Sequence, residues 1–174
     1  MMDILTLLEP LDWKGISSAL LAGGIIGLER QLMGKAIGIR TSALICLATY
    51  LFIAMSFSVS NDMTDPSRII GQVVTGVGFL GAGVIMARKG VVLGVTSAAV
   101  IWVLAALGIV IGTGHNLLGI ILALLTVGML VGLEYVENIF KWLQRSVDET
   151  ISRQSREKEQ GRDDKTSLHK NSRE

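Results

Sequence analysis

The chain has one cysteine and two histidines, and it runs for long stretches with no charge at all. The single thiol, Cys46, lies inside an apolar run, which excludes an intramolecular disulfide and leaves too few thiolates for a zinc or iron–sulfur site. With only His115 and His169 available, no Ser/His/Asp set can be assembled and no metal-ligand spacing appears, so no catalytic centre, metal or cofactor is expected. No Asp or Glu occurs between Asp65 and Glu134. The letters Gly76-x-Gly78-x-x-Gly81 therefore lack the acidic residue about 20 positions on that a dinucleotide-binding turn uses to hold a ribose. A net charge of +1 gives no electrostatic footprint for nucleic acid. The opening Met1-Met2-Asp3, with Glu9 and Asp12 following, is the reverse of a signal peptide's positive start, and no cleavage is expected.

What remains is apolar. Half of the 174 residues are hydrophobic, and the charged 18% gather in short loops and a tail, which is the signature of a membrane protein. Crossing the hydrocarbon takes about 20 helical residues. Thr41 to Val59, Ile69 to Ala87, Val91 to Ile111 and Leu117 to Leu133 carry no charged residue. Gly15 to Leu28 is shorter, but Leu11 and Trp13 extend it, and Trp13 beside Lys14 suits an interfacial anchor. The expected fold is all-α: a polytopic membrane helix bundle over residues 1–135, with about five spans near 13–30, 41–59, 69–87, 91–111 and 117–135.

Charge placement predicts the topology. Arg30, Lys35 and Arg40 lie in the first loop, Arg88 and Lys89 in the third, and nine further Lys and Arg follow Glu134, whereas only Lys14 and Arg68 fall on the other side. The positive-inside rule then puts the N-terminus outside and the C-terminus in the cytoplasm. Val136, Ile139, Phe140, Leu143, Val147 and Ile151 recur at helical spacing among charges, predicting an amphipathic juxtamembrane helix over 136–154. Residues 155–174 hold too little apolar surface for a core and are expected to be disordered.

A pattern recurs. Gly24-x-x-Gly27, then Gly38, Arg40 and Thr41-Ser42-Ala43, matches Gly78-x-x-Gly81, then Gly94 and Thr96-Ser97-Ala98. Two readings fit: one helical hairpin used twice as a parallel repeat, or the general abundance of small residues in membrane helices.

Several residues stand out as functional candidates. Gly76, Gly78, Gly81 and Gly83 remove bulk along the third span, so the sequence predicts close backbone packing there, with that helix at the centre of the bundle. The alternative is a broken helix lining a cavity. Gln72 and Thr75, three residues apart, are read as one polar face that either bonds to a neighbouring helix or lines a small cavity. Asp65 caps the same helix, and Arg68 is expected to pair with Asp62 or Asp65 or to snorkel outward. Glu29 and Arg30 end the first span, where a carboxylate so close to hydrocarbon needs a cation; a bridge from Glu29 to Arg40 across the first loop is expected.

Taken together, these motifs resemble the MgtC/SapB family of bacterial inner-membrane proteins. The resemblance rests on Gly27-Leu28-Glu29-Arg30-Gln31, Gly38-Ile39-Arg40-Thr41, the run from Asp65 through Gln72 to Ile85, and Gly94-Val95-Thr96-Ser97-Ala98-Ala99 with Trp102. It implies a multi-pass protein of the bacterial cell membrane linked to growth or survival at low magnesium and, in pathogens, to virulence inside macrophages. It implies no transport activity, and some members are thought to bind and restrain the membrane sector of the F-type ATP synthase. Many members carry an ACT-like cytoplasmic domain, whereas a short charged tail here suggests a SapB-like short form. The function expected is a non-catalytic membrane regulator that contacts another membrane complex or self-associates in the bilayer. The alternative is a small oligomeric transporter or channel.

Overall fold

A computed structural model describes residues 11–59, 65, 67–88 and 90–137. The expectations for residues 138–154, for the tail 155–174, and for Asp62 lie outside them. Five helices are present among the described residues: α1 (Trp13–Leu32), α2 (Ile39–Val59), α3 (Ser67–Val84), α4 (Val95–Gly112) and α5 (Asn116–Glu137). The all-α bundle is as expected, with one addition. Where the sequence predicts a third span to 87 and a fourth from 91, α3 stops at Val84 and two short strands intervene, β1 (Met86–Arg88) and β2 (Val91–Leu93). They pair antiparallel, Met86 opposite Leu93 and Arg88 opposite Val91. The physical reason is Gly94, whose φ of +87° starts α4 four residues late and whose missing side chain lets the Val84 carbonyl oxygen come within 2.3 Å of where a Cβ would sit.

Four of the five helices are long and apolar enough to cross a bilayer, α1 being the exception. Lys14, Glu29 and Arg30 lower its hydropathy. Yet α1 lies against α2 from end to end. A Cβ on Gly15 would strike the Tyr50 ring, one on Gly23 would meet Ala43 and Ser42, and one on Gly27 would meet Ile39, so the two helices run antiparallel in close contact. The Tyr50 hydroxyl donates to the Asp12 carbonyl and accepts from the Asp12 N–H, both at 3.1 Å, fixing the outer end of the pair.

The other side of α2 is covered by α4. Gly108 packs on Cys46 and Thr49, and Gly112 on Ile53 and Tyr50, an order that makes the two helices parallel. Gly119 of α5 admits the Ile111 side chain. Ala22, Ile26, Cys46, Ile53, Leu104 and Ile111 are all buried, and they mark a core with α2 at its centre. This corrects the expectation that the third helix is central. In α3 only Val77 and Gly81 are buried, and it joins the others through a cluster of Val77 with Ile37, Ile101 and Ala105.

The proposed repeat leaves a partial geometric trace. Gly27 faces Ser42 in the first hairpin as Gly81 faces Ala98 in the second, but the second contact is an ordinary 3.6 Å approach to the Ala98 carbonyl oxygen. The chain also divides into two compact units at Gly128/Met129, so the end of α5 is counted with the second.

Candidate functional site

Because α3 leans on α4 rather than on α2, a groove of about 870 Å³ opens between α2 and α3. Thr41, Ile45, Thr49 and Phe52 line one wall, Ile69, Gln72, Val73, Gly76 and Leu80 the other, and Ile101 of α4 contributes as well. The lining is overwhelmingly apolar. Its volume falls within the roughly 300–1,000 Å³ typical of ligand sites. The same breadth of apolar surface also suits an inserted helix.

Gln72 is the polar feature of the α3 wall. Its carboxamide makes no hydrogen bond among the described residues and faces outward from the bundle. Thr75, expected to share its face and its partners, behaves differently. The Thr75 hydroxyl donates to the Gly71 carbonyl of its own helix at 2.9 Å, and the residue does not line the groove. Three residues subtend about 300°, so a 60° offset is enough to separate the two side chains.

The glycines of α3 also part company. A Cβ at Gly71, Gly76, Gly78 or Gly83 would meet nothing within 4 Å, and only Gly81 faces a neighbour, Ala98. Within the chain, therefore, Gly76, Gly78 and Gly83 are not packing glycines, contrary to expectation. Close approaches between helices are made by Gly15, Gly23, Gly27, Gly108, Gly112 and Gly119, among which Gly23/Gly27 and Gly108/Gly112 are pairs spaced by four residues. That spacing does not by itself identify packing glycines, since Gly128 and Gly132 of α5 share it and meet nothing within 4 Å.

At the far end of α1, Glu29 and Arg30 form a bidentate ion pair, with Arg30 Nε donating to Oε2 and Nη2 to Oε1. The two side chains are 6% and 2% exposed. The expected bridge from Glu29 to Arg40 is not made; Arg40 stands exposed at the start of α2, because the adjacent guanidinium already occupies both carboxylate oxygens. The loop is closed instead by Gln31, whose Oε1 accepts the Ile39 N–H at 3.3 Å, and by Gly34, whose φ of +63° turns the chain out of α1. The Ser42 hydroxyl, read in the sequence only as part of the recurring Thr-Ser-Ala pattern, is buried beside Gly27 with no hydrogen-bond partner among the described residues.

At the start of α3 the Asp65 carboxylate accepts from the Ser67 N–H at 2.9 Å and the Ser67 hydroxyl at 2.7 Å. These two bonds, with the Arg68 charge further out, hold its carboxyl below the usual carboxylate value. Asp65 and Arg68 are thus brought together, the Arg68 N–H also donating to the Asp65 carbonyl at 3.1 Å, while both remain exposed and apart from the groove's apolar centre. Among the described residues no group of three or more His, Cys, Asp or Glu side chains stands together.

Comparison with known proteins places these features in context. The chain is 50% identical over 109 residues to the putative magnesium transporter YhiD of Escherichia coli K12, an alignment covering 59% of this chain and 51% of that protein. It is 37% identical over 158 residues to protein SrpB of Synechococcus elongatus, covering 81% and 86% respectively, and 40% identical over 99 residues to protein MgtC of Brucella abortus, covering 57% and 41%. The chain thus spans about half the length of the first of these relatives. No solved structure matches. The model of the MgtC family matches residues 16–139, which takes in α1 through α5 almost entirely, and the chain is a membrane protein belonging to that family.

Proposed function

We propose that the chain is a non-catalytic membrane regulator that binds another membrane complex through the α2/α3 groove and the Gln72/Gly76 stripe of α3 that lines it. The observation that carries this reading is Gln72, a carboxamide without a hydrogen-bond partner among the described residues, set among apolar residues on a helix long and apolar enough to span. An amide facing lipid is unfavourable until a second helix supplies a donor and acceptor, and Gly76 beside it leaves room for a backbone to approach. The family resemblance makes magnesium-linked control the setting, with the membrane sector of the ATP synthase one candidate partner.

In this reading α1 is a fifth crossing, carried through the bilayer by its full-length contact with α2. The basic residues at the α1–α2 and α3–α4 connections then put those loops in the cytoplasm and the N-terminus outside.

A photo-crosslinking side chain in place of Leu80, on the groove wall, tests the proposal in native membranes at low and high magnesium. An adduct with a different membrane protein is expected, while adducts with the chain alone, or none, sink it. A second reading, transport of an ion or small solute, is favoured by the relative described as a putative magnesium transporter. The apolar lining of the groove offers a hydrated cation few ligands. Flux through purified protein in liposomes would decide for transport.

A further inference from the structure

The hairpin β1–β2 is difficult to reconcile with either of the two solvents around a membrane protein. Met86, Val91, Val92 and Leu93 are exposed, from 53% at Leu93 to 61% at Met86. Side chains alternate along a strand, so Val91 and Leu93 point to one face and Val92 to the other. Both faces are therefore apolar, and a lone two-stranded hairpin whose apolar side chains stay exposed among the described residues is at best marginally stable in water. The hydrocarbon core is no better a home. Each strand pairs on one side only, so its outer edge offers unpaired N–H and C=O groups, which do not occur facing lipid tails.

Position resolves the conflict. The hairpin joins the end of α3 to the start of α4, each of 18 residues and each apolar enough to cross a bilayer. Such helices measure about 27 Å, so their ends reach the edge of the roughly 30 Å hydrocarbon layer. The base of the hairpin is also held in place. Gly94 sits against the Val84 carbonyl in a conformation closed to other residues, which ties β2 to the last turn of α3. The sequence at the turn, Arg88-Lys89-Gly90, carries two cations.

We propose that this hairpin is an interfacial anchor, lying in the headgroup layer of the bilayer among anionic phospholipids. There its apolar side chains reach the upper acyl region and its open edges are hydrated, while the two cations the sequence carries at residues 88 and 89 favour anionic over neutral lipid.

The test uses the full chain in vesicles, with Cys46→Ser and an environment-sensitive fluorophore on Val92→Cys or, separately, on Val91→Cys. Both positions are exposed, so neither label disturbs the bundle, and circular dichroism checks that the helices are retained. In vesicles containing phosphatidylglycerol, both labels should resist aqueous iodide and be quenched several-fold more by a nitroxide at headgroup level than by one at mid-chain. Iodide access at both positions, or stronger mid-chain quenching, overturns the proposal. Protection that disappears when the protein is diluted into excess lipid would assign the surface to a second copy and equally overturn it. Arg88→Gln should weaken the headgroup-level quenching in phosphatidylglycerol vesicles and leave it unchanged in phosphatidylcholine alone; an equal effect in both removes the anionic-lipid component.

Discussion

Gly23 of α1 lies so close to α2 that a Cβ in its place would be 2.7 Å from the Ala43 Cα and 2.7 Å from the Ser42 carbonyl oxygen. Both atoms are backbone, so no side-chain rotation relieves the contact. Gly23→Ala should force the helices apart and destabilise the fold by about 1–3 kcal/mol, and Gly23→Val by more. Unfolding titrations in mild detergent would show this as an earlier midpoint.

Gly76 provides the opposite case. Its missing Cβ faces open space within the chain, so Gly76→Ala should leave stability unchanged or raise it by up to about 1 kcal/mol through helix propensity. If the groove docks a partner helix, the same substitution should abolish the crosslink from position 80. Retained crosslinking in a fully folded Gly76→Ala protein would show that the α3 glycines are not part of the docking surface.

The Glu29–Arg30 pair is buried, and breaking it from one side should be costly. Glu29→Gln leaves a guanidinium enclosed without a counter-charge, for an expected loss of about 3–5 kcal/mol. Glu29→Gln combined with Arg30→Met should lose less than the sum of the single changes. A double-mutant cycle on detergent unfolding measures the coupling, and strict additivity would contradict the pairing.

Asp65 sets a pH dependence with a definite sign. Its folded-state pKa is lowered, first by the Ser67 hydroxyl, then by the Ser67 N–H and the Arg68 charge. The stabilisation is therefore complete at neutral pH, where the carboxylate is ionised in both states, and is lost as pH falls through the lowered value. Asp65→Asn keeps an acceptor at the helix cap and removes the charge. The wild type should be the more stable at neutral pH, and the difference should close in strong acid. A gap that persists unchanged at low pH would refute the assignment.

Tyr50 ties the start of α1 to α2 through two hydrogen bonds to Asp12. Tyr50→Phe keeps the ring against Gly15 and removes only the hydroxyl, so a loss of about 0.5–1.5 kcal/mol per bond is expected. Hydrogen exchange should quicken in the first turn of α1 and nowhere else.

These positions also show what the sequence could and could not convey. The helices were legible because charge is absent over the length of a bilayer in four runs, a requirement imposed by the solvent and not by any tertiary contact. The centre of the bundle was not, since glycine count points to α3, and four-residue spacing is shared by the packed pairs Gly23/Gly27 and Gly108/Gly112 and by the open pair Gly128/Gly132; which glycines face a neighbour depends on the tertiary contacts themselves. The hairpin was absorbed into two spans because Val91-Val92-Leu93 is apolar in either conformation, and only the flanking Gly90 and Gly94, both with positive φ, break the helix. In the candidate site, Gln72 was visible as an amide in an apolar run. The loss of Thr75 from its face follows from a local bond to Gly71, which competes with any partner across helices. The choice of Arg30 over Arg40 by Glu29 depends on side-chain rotamers and the course of the loop, which no spacing rule specifies.

Consecutive residues have one further property. Glu29 and Arg30 need no other helix to find each other, so their charges can cancel as soon as the last turn of α1 exists. The proposed crossing of α1 would then start with its carboxylate and guanidinium already neutralised, before α2 is in place. A bridge to Arg40 would have left an uncompensated acid waiting for ten more residues of chain to emerge. The pairing of neighbours makes the least apolar of the helices self-sufficient in charge, whatever the order in which the bundle assembles.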